Sequence, residues 1–332
     1  MADLELSIAI NPNARSAPVL DGRRKPEGIA LTVTAMFPSE IFWRQLKFAE
    51  FDVSEMSMSS LLILIAQGNR DWVAFPVFTT RRFFHTGMWA RDDRKITAPA
   101  DLRGKRVGVP EYQQTAALWG RGVLQHEFGV HATEIEWYME RTEEVSHGGA
   151  TGFRPPPGVT VNRIPASESI GSMLVEGKLD AALHYLAGTN NLVDRSRIRL
   201  EDRPDIHLIF RDPAAEARRY FAKTGFFPIN HAMVVRRSIA EKHPWVVLNL
   251  YNAFLAAKND WLKGVNAAAE SHLETGILSQ DAGAALRRDP YPYGVVANRT
   301  ILETIARYSH EQGLTPRVLP LDEIFPRNTL EL

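Results

Sequence analysis

The sequence predicts an α/β protein with mostly parallel sheets. Strand-like segments alternate with helix-like segments along the whole chain, which is the pattern typical of this class. The 332 residues are 45% hydrophobic, so the chain can bury a sizeable core and exceeds one usual domain length. No short-period repeat or low-complexity tract interrupts the alternation.

In the first third of the chain, periodicity and capping residues define the elements. Ser39 is the expected N-cap of a helix over 38–49, and Ser57 or Ser59 is the expected N-cap of an apolar helix that runs to residue 66. The extended segments predicted here are 4–10, 29–33, 51–55, 72–78 and 86–91.

In the rest of the chain, two connections stand out. The polar, proline-containing segment 96–103 predicts a crossing between domains, and the Gly-, Pro- and charge-rich stretch 140–158 predicts an exposed loop. The predicted strands are 106–109, 134–138, 159–164, 179–184 and 232–235, and the predicted helices are 113–128, 170–176, 244–262, 266–276 and 298–312.

Charge, cysteine content and missing motifs exclude several function classes. Basic and acidic residues number 39 each, so the formal net charge is zero and a broad nucleic-acid surface is not expected. The absence of cysteine excludes disulfides, thiolate catalysis and Cys-based metal sites. HExxH, Walker, GxGxxG and GxSxG motifs are also absent, so no dedicated metal site, nucleotide loop or serine nucleophile is predicted.

The termini and apolar runs favour a cytoplasmic protein that does not enter a membrane. The N-terminal sequence MADLELSIAINPN lacks the basic and apolar regions of a secretory signal, and the longest apolar run, 61–66, is too short to span a bilayer. The sequence leaves a homo-oligomer open.

The junction GKRVGVPEYQQTAALW at 104–119 is the first candidate binding element. Strand 106–109 ends in a Pro-Glu-Tyr turn, and the helix that follows starts with free backbone N–H groups. Because ligands of open α/β sheets bind at the carboxyl ends of strands, Gln113, Gln114 and Thr115 are expected to hold an oxyanion such as a carboxylate. Alternatively, Thr115 only caps the helix and the glutamines face solvent.

The segment FPVFTTRRFFHTGMWAR at 75–91 is the second candidate. The planar guanidinium groups of the pair Arg81 and Arg82 suit bidentate binding of a carboxylate, and the aromatic neighbours suit a flat ring. His85 is a residue type that exchanges protons near neutral pH. The alternative is a solvated arginine pair with a histidine whose partners are backbone groups.

Three further positions lie at strand ends. Glu55 precedes a serine-rich helix start and, with Ser57, is suited to reading phenolic hydroxyls, unless Ser57 is only an N-cap. His231 lies at the edge of a buried strand where the chain returns to the first domain, and His184 follows another strand. The histidines given no role are His126, His131, His147, His207, His243, His272 and His310.

Several segments together closely resemble the 4,5-dihydroxyphthalate decarboxylases. The segments are DVSEMSMSS, FPVF with RxFxH, DLRGKRVGVPEYQQTAALWGRGVLQHEFGV, KTGFFPINH, HPWVVLNLYNAFLAAK and DPYPYGVVANRTILE, so the similarity runs nearly end to end. It implies a two-lobed type II periplasmic-binding-protein-like fold with the ligand cleft between the lobes. It also implies decarboxylation of a hydroxylated aromatic acid without an organic cofactor.

The resemblance places lobe one at 1–100 plus 228–332 and lobe two at 101–227. The residues at positions that match the family pattern are Glu55, Ser57, Arg81, His85, Glu111, Tyr112, Gln113, Thr115 and His231. Phe84 departs from the pattern where the family carries a basic residue, and Gln114 departs where it carries Met. Loss of a cation indicates a substrate with one carboxylate fewer or a different ring substituent.

The resemblance itself implies 4,5-dihydroxyphthalate or a close analogue as the substrate, which gives protocatechuate and CO2. Arg81 and the helix start at Gln113 would hold a carboxylate, and His85 or His231 would protonate the ring carbon. A divalent metal that orients the diol is not excluded. The alternative function is a solute-binding protein for an aromatic or sulfonated anion; a thiamine-pyrimidine-type synthase is disfavoured because the chain has no cysteine.

Overall fold

The computed structural model describes residues 2–188 and 191–332, which form two β-sheets surrounded by helices. The strands are β1 (Leu4–Ile10), β2 (Ile29–Ala35), β3 (Val53–Ser57), β4 (Trp72–Arg81), β5 (Met88–Arg91), β6 (Arg106–Val109), β7 (Glu136–Met139), β8 (Val161–Arg163), β9 (Ala181–Leu183), β10 (Ile206–Leu208) and β11 (Ile229–Arg236). The predicted α/β class is confirmed.

Both sheets are mostly parallel, as predicted. The first has the order β2-β1-β3-β11-β4, in which β1 is parallel to β2 and β3, and β11 is antiparallel to β3 and β4. The second has the order β10-β5-β9-β6-β7-β8, in which β6, β7, β8 and β9 pair in parallel and β5 is antiparallel to β9 and β10. The antiparallel strands β5 and β11 are each the first strand after the chain crosses between the sheets.

The two crossings fix which residues belong to which sheet. The chain leaves the first sheet at Arg81 and already pairs in the second at Met88, so the crossing comes earlier than the polar segment 96–103. It returns at residues 225–228, between the helix Pro213–Thr224 and β11. Residues 88–91 therefore pair with the second sheet, although the sequence suggested that lobe one extends to residue 100.

Twelve α-helices lie within the described ranges. They are α1 (Ala17–Leu20), α2 (Pro38–Phe48), α3 (Met58–Ala66), α4 (Thr115–Phe128), α5 (His147–Thr151), α6 (Ile170–Val175), α7 (Pro213–Thr224), α8 (Arg237–Lys242), α9 (Trp245–Glu274), α10 (Gln280–Arg287), α11 (Arg299–Glu311) and α12 (Leu321–Ile324). The prediction of separate helices over 244–262 and 266–276 is wrong, because α9 is continuous through Gly264. None of these helices is long and apolar enough to cross a membrane.

Helix α4 joins the cores of the two sheets. Trp119 packs in the first core and donates a hydrogen bond from Nε1 to the carbonyl oxygen of Ile229, at 2.8 Å. On its other side, Gly120 faces β9 so closely that a Cβ there would lie 2.7 Å from Leu183 Cδ1. The small residue early in this helix therefore permits close packing on the sheet.

Candidate active site

A cleft of about 280 Å³ lies between the two sheets. Its walls come from the carboxyl ends of parallel strands, from the amino end of the antiparallel β11 and from the first turns of helices, which is where open α/β sheets bind ligands. The lining residues are Asn11, Phe37, Pro38, Ser39, Phe42, Ser57, Thr80, Arg82, Phe84, Gln114, Thr115, Ala116, His147, His184, Leu186, Asn230 and His231. Five of the predicted site residues are thus brought together.

The starts of α3 and α4 meet in the wall of this cleft. Ser57 is the N-cap of α3, and its hydroxyl lies 2.8 Å from the hydroxyl of Thr115. Thr115 is the first residue of α4 and also accepts a hydrogen bond from the backbone N–H of Ser59, at 2.9 Å. The structure thus confirms Ser57 as a cap, but the N-cap of α4 is Gln114, not Thr115.

Gln114 presents a free amide to the cleft. Its side chain is buried and does not cap α4, and its Nε2 has no hydrogen-bond partner within residues 2–188 and 191–332. A buried donor without a protein acceptor is costly, so this group is available for a ligand oxygen.

The prediction that Ser39 is the N-cap of α2 is wrong, because Phe37 holds the N-cap position.

Arg82, not Arg81, presents a cation to the cleft. Its side chain is exposed there, and its guanidinium has no ion-pair partner in the described parts of the chain. Arg81 points away: it donates to the carbonyl oxygens of Phe227 (3.1 Å) and Pro292 (2.7 Å) and to Asn298 Oδ1 (2.5 Å). The prediction that Arg81 lines the cleft is wrong, because these neighbouring arginines at the end of β4 point to opposite sides.

His85 also lies outside the cleft. Its side chain is buried beside Tyr220 and Phe210, and its Nε2 is 3.1 Å from Glu216 Oε1. Burial lowers the pKa of His85 to about 4, although Glu216 opposes this effect. The prediction that His85 lies in the cleft is therefore wrong, and its neutral ring packs within the protein instead.

His231 faces the cleft with a buried carboxylate behind it. Its Nδ1 lies 3.7 Å from Glu55 Oε2, and its Nε2 lies 2.8 Å from the amide Nδ2 of Asn230. Glu55 is fully buried, and neither of its carboxylate oxygens has a hydrogen-bond partner within the described ranges. Phe42 packs edge-on against the His231 ring with centroids 4.6 Å apart. A histidine oriented by a carboxylate is an arrangement suited to proton transfer.

His184 lines the cleft in a strained backbone conformation. Its φ is +56°, a left-handed value that few non-glycine residues adopt and that clusters at functional sites. Burial lowers the pKa of His184 to about 3, and the guanidinium groups of Arg82 and Arg141 contribute to this shift. The ring is therefore neutral near pH 7 and able to accept a hydrogen bond from a ligand hydroxyl.

Tyr112 and Gln113 support the cleft from behind and do not line it. Tyr112 is fully buried, and the Arg121 guanidinium lies 3.7 Å from its ring centroid. Gln113 Nε2 donates to the carboxylate of Glu111, and its side chain packs so tightly on Gly148 that a Cβ there would lie 2.7 Å away. Tyr112 and Gln113 are thus absent from the cleft lining, and their predicted contact with a ligand stays a prediction.

The stretch 140–158, predicted to be an exposed loop, contains the principal group missed from the sequence. Arg141 is fully buried and donates to Asp194 (2.7 Å), Glu111 (2.8 Å) and the hydroxyl of Ser39 (2.6 Å). His147 lines the cleft, with Nε2 3.1 Å from the carbonyl oxygen of Ser39. Because Ser39 lies on α2 beside the first sheet, this network ties the two halves of the cleft together.

The charged groups of this network keep their charges because they pair with one another. Burial alone would raise the pKa of Glu111, but His147, Arg141 and the N–H of Gly148 outweigh it and hold that pKa below its ordinary value. Burial lowers the pKa of His147 despite the nearby Glu111 carboxylate. Arg141 and His147 both follow shortly after the carboxyl end of β7. Their occurrence together at that position is the sequence signal that indicates a site.

Metal-ligating side chains do not cluster in the described parts of the chain. No group of three or more His, Cys, Asp or Glu side chains there is arranged to hold a metal ion. Glu55 and His231 form only a pair.

Two curated proteins are similar in sequence to this chain. No family model matches the chain. A 4,5-dihydroxyphthalate decarboxylase of Comamonas testosteroni is 32% identical over 334 residues, which cover 100% of this chain and 99% of that protein. A second, from Pseudomonas putida, is 34% identical over 221 residues, which cover 67% of this chain and 83% of that protein.

Solved structures share the fold at low sequence identity. The alkanesulfonate-binding protein SsuA of Xanthomonas axonopodis pv. citri, bound to MOPS, matches with a TM-score of 0.56 and 13% identity over 98% of this chain and 99% of that one. The aliphatic sulphonate-binding protein SsuA of Escherichia coli matches with a TM-score of 0.56 and 14% identity over the full length of both chains. These matches confirm the predicted periplasmic-binding-protein-like fold.

Proposed function

The chain belongs to the 4,5-dihydroxyphthalate decarboxylase family, and from this premise we propose that it releases CO2 from a hydroxylated aromatic dicarboxylate. The expected substrate is 4,5-dihydroxyphthalate and the expected product is 3,4-dihydroxybenzoate (protocatechuate). The observation that carries the proposal for this site is the pairing of His231 with the buried Glu55 in the same cleft as the unpaired Arg82.

Substrate binding would depend on Arg82 and on the helix starts. The guanidinium of Arg82 offers a fork of donors that matches one carboxylate. The Gln114 amide and the first turns of α3 and α4 add neutral donors that favour negative charge. Phe42 and Phe84 supply apolar surface for the ring. This set of groups supports a flat anion with polar substituents.

The chemical step needs a proton at the ring carbon that carries the leaving carboxylate. In this proposal protonated His231 gives its proton to that carbon, the bond to the carboxylate breaks, CO2 leaves, and the bonding electrons restore the aromatic ring. Glu55 stabilises the imidazolium before transfer, and solvent restores the proton afterwards. One positioned acid typically contributes about a hundred- to ten-thousandfold to the rate.

His184 would help through the ring hydroxyl. A hydroxyl para to the leaving carboxylate carries positive charge when the ring is protonated. A neutral imidazole that accepts a hydrogen bond from this hydroxyl stabilises the charge, and the lowered pKa of His184 keeps that ring neutral near pH 7. The two histidines thus have opposite roles, set by their environments. The cytoplasmic location and a homo-oligomer stay predictions.

The test is turnover of purified protein with 4,5-dihydroxyphthalate, followed by CO2 release and chromatography of the product. Unsubstituted phthalate should bind without reacting, because it has no para hydroxyl. His231→Asn should lower kcat about a hundredfold or more, whereas the exposed His131→Ala should not change it. Tight binding of 4,5-dihydroxyphthalate without CO2 release would instead support a solute-binding protein.

A further inference from the structure

A second cavity, separate from the cleft, lies beside both connections between the sheets. It has a volume of about 380 Å³, within the range of small-molecule sites, and is lined by Phe83, Phe221, Phe227 and Pro292 among others. Phe83 lies in the first crossing and Phe227 in the second, and their rings stack with centroids 4.9 Å apart. The wall is thus suited to the face of an aromatic ring.

A buried cation forms part of the same wall. Arg81 is only 7% exposed, and its three hydrogen-bond acceptors are neutral: two carbonyl oxygens and the side-chain oxygen of Asn298. Its Nε has no acceptor within residues 2–188 and 191–332. A buried guanidinium without a hydrogen-bonded anion is costly, so the position favours an added negative charge.

The surrounding charges do not remove this imbalance. Arg15 lies with its guanidinium 3.8 Å from the ring centroid of Tyr291, and its Nε also has no acceptor in the described parts of the chain. The carboxylate that faces this group is Asp289, which pairs directly with the buried Lys258. Asp289 also lines the cavity, so the charged groups of the wall are Arg81 and a carboxylate that Lys258 already pairs. Burial, together with the charge of Arg15, lowers the pKa of Arg81 to about 10, which leaves it charged at neutral pH.

From this combination of a stacked aromatic wall and a buried arginine without a hydrogen-bonded anion, we propose that the cavity is a second binding site for a small aromatic monocarboxylate. Its carboxylate would lie toward Arg81 and its ring against Phe83 and Phe227. A ligand there contacts both connections between the sheets. The proposal is independent of the decarboxylation, because none of these residues lines the cleft.

The test is calorimetric titration with benzoate and with benzamide, its uncharged isostere. Arg82→Ala serves as the background, so that binding in the cleft is weakened. We expect one benzoate to bind this variant, and benzamide to bind at least about tenfold more weakly, since the charge is what is recognised. Equal affinity for the two compounds, or no benzoate binding in this background, would overturn the proposal.

The location is tested at the rim of the cavity, where folding is not at risk. Phe221 is 47% exposed, so Phe221→Glu adds a negative charge without disturbing the core. It should weaken benzoate binding at least about tenfold and leave turnover unchanged, whereas the exposed Phe48→Glu should do neither. Unchanged binding in Phe221→Glu would refute the assignment.

Two further measurements identify the occupant. In a crystal soaked with 4-bromobenzoate, an anomalous bromine peak near Phe221 supports the proposal and a peak confined to the main cleft refutes it. In the same titration, 3,4-dihydroxybenzoate separates the two sources of such a ligand. Tighter binding than benzoate assigns the cavity to the reaction product, and weaker binding assigns it to another aromatic acid.

Discussion

Replacement of Glu55 by Gln tests the proton donor most directly. Glu55 is fully buried 3.7 Å from His231 Nδ1, and Gln has nearly the same shape without the charge. Two unit charges at about 4 Å interact by about 4 kcal/mol at an effective dielectric constant near 20. Loss of most of this stabilisation of the imidazolium corresponds to a fall in kcat of about a hundred- to a thousandfold.

The assay is steady-state CO2 release at neutral pH, with kcat and KM determined separately. Because Glu55 does not line the cleft, Glu55→Gln should leave KM unchanged, and Glu55→Asp, which keeps the charge, should recover part of kcat. The exposed Glu27→Gln is the matched control, and a thermal melt confirms that each variant is folded. A kcat close to wild type in folded Glu55→Gln would refute the role of Glu55 as the positioning residue.

Three further outcomes follow from the same contacts. Arg82→Ala should raise KM for 4,5-dihydroxyphthalate about tenfold or more, and the exposed Arg288→Ala should not; equal KM values would contradict the anchoring role. The pKa of His85 is about 4 in the folded chain and about 6.5 when unfolded, so the free energy of unfolding should fall as pH drops from 6.5 to 4. The contribution is about 3 kcal/mol, and urea titrations of His85→Gln should show a flatter dependence. Arg141→Met should lower the free energy of unfolding by about 3–5 kcal/mol because it leaves buried carboxylates unpaired; a smaller loss in urea denaturation would mean that the site rehydrates.

Local sequence patterns predicted most helices and strands well. They failed where packing against the rest of the protein determines the structure. Strands β1 and β6 lie at their predicted bounds, because apolar periodicity reports directly on burial. The predicted break in α9 near Gly264 is absent. A glycine inside an exposed helix costs only about 1 kcal/mol, and nothing packs within 4 Å of that position, so the packed first half of α9 carries the helix through it.

Whether a residue belongs to the site depends on the direction in which its side chain points. The sequence does not specify this direction at the end of a strand. Arg81 and Arg82 have the same chemistry and adjacent positions, yet one binds carbonyl oxygens on the far side of β4 and the other faces the cleft. His85 lies only three residues further on, but a short helical turn at Phe84–Gly87 directs it toward Glu216. A one-residue change in direction is enough to exchange a ligand contact for a structural one.

The segment 140–158 is not the exposed loop that its composition predicts. Charged residues indicate solvent exposure only where they have no oppositely charged partner inside the protein. Arg141 is charged and sits beside Gly and Pro residues, which is typical of an exposed loop. Its burial depends on Glu111 and Asp194, which are distant in sequence, and on Ser39 across the cleft. No local pattern contains that information.

In the proposed reaction, this pairing would also determine which carboxylate of a dianionic substrate reacts. Since Glu111 and Asp194 neutralise Arg141, Arg82 is the cleft-lining cation without a partner among the described residues. A carboxylate bound by Arg82 would be stabilised as an anion. Loss of CO2 from it would break that ion pair, because CO2 is neutral. The second carboxylate would lie near Phe42 and His231, where the only positive charge in the described ranges is the proton that His231 gives up, and it becomes neutral CO2 when that proton reaches the ring carbon. The cleft would therefore stabilise the retained carboxylate and leave the departing one without a permanent counter-ion, which favours decarboxylation beside His231.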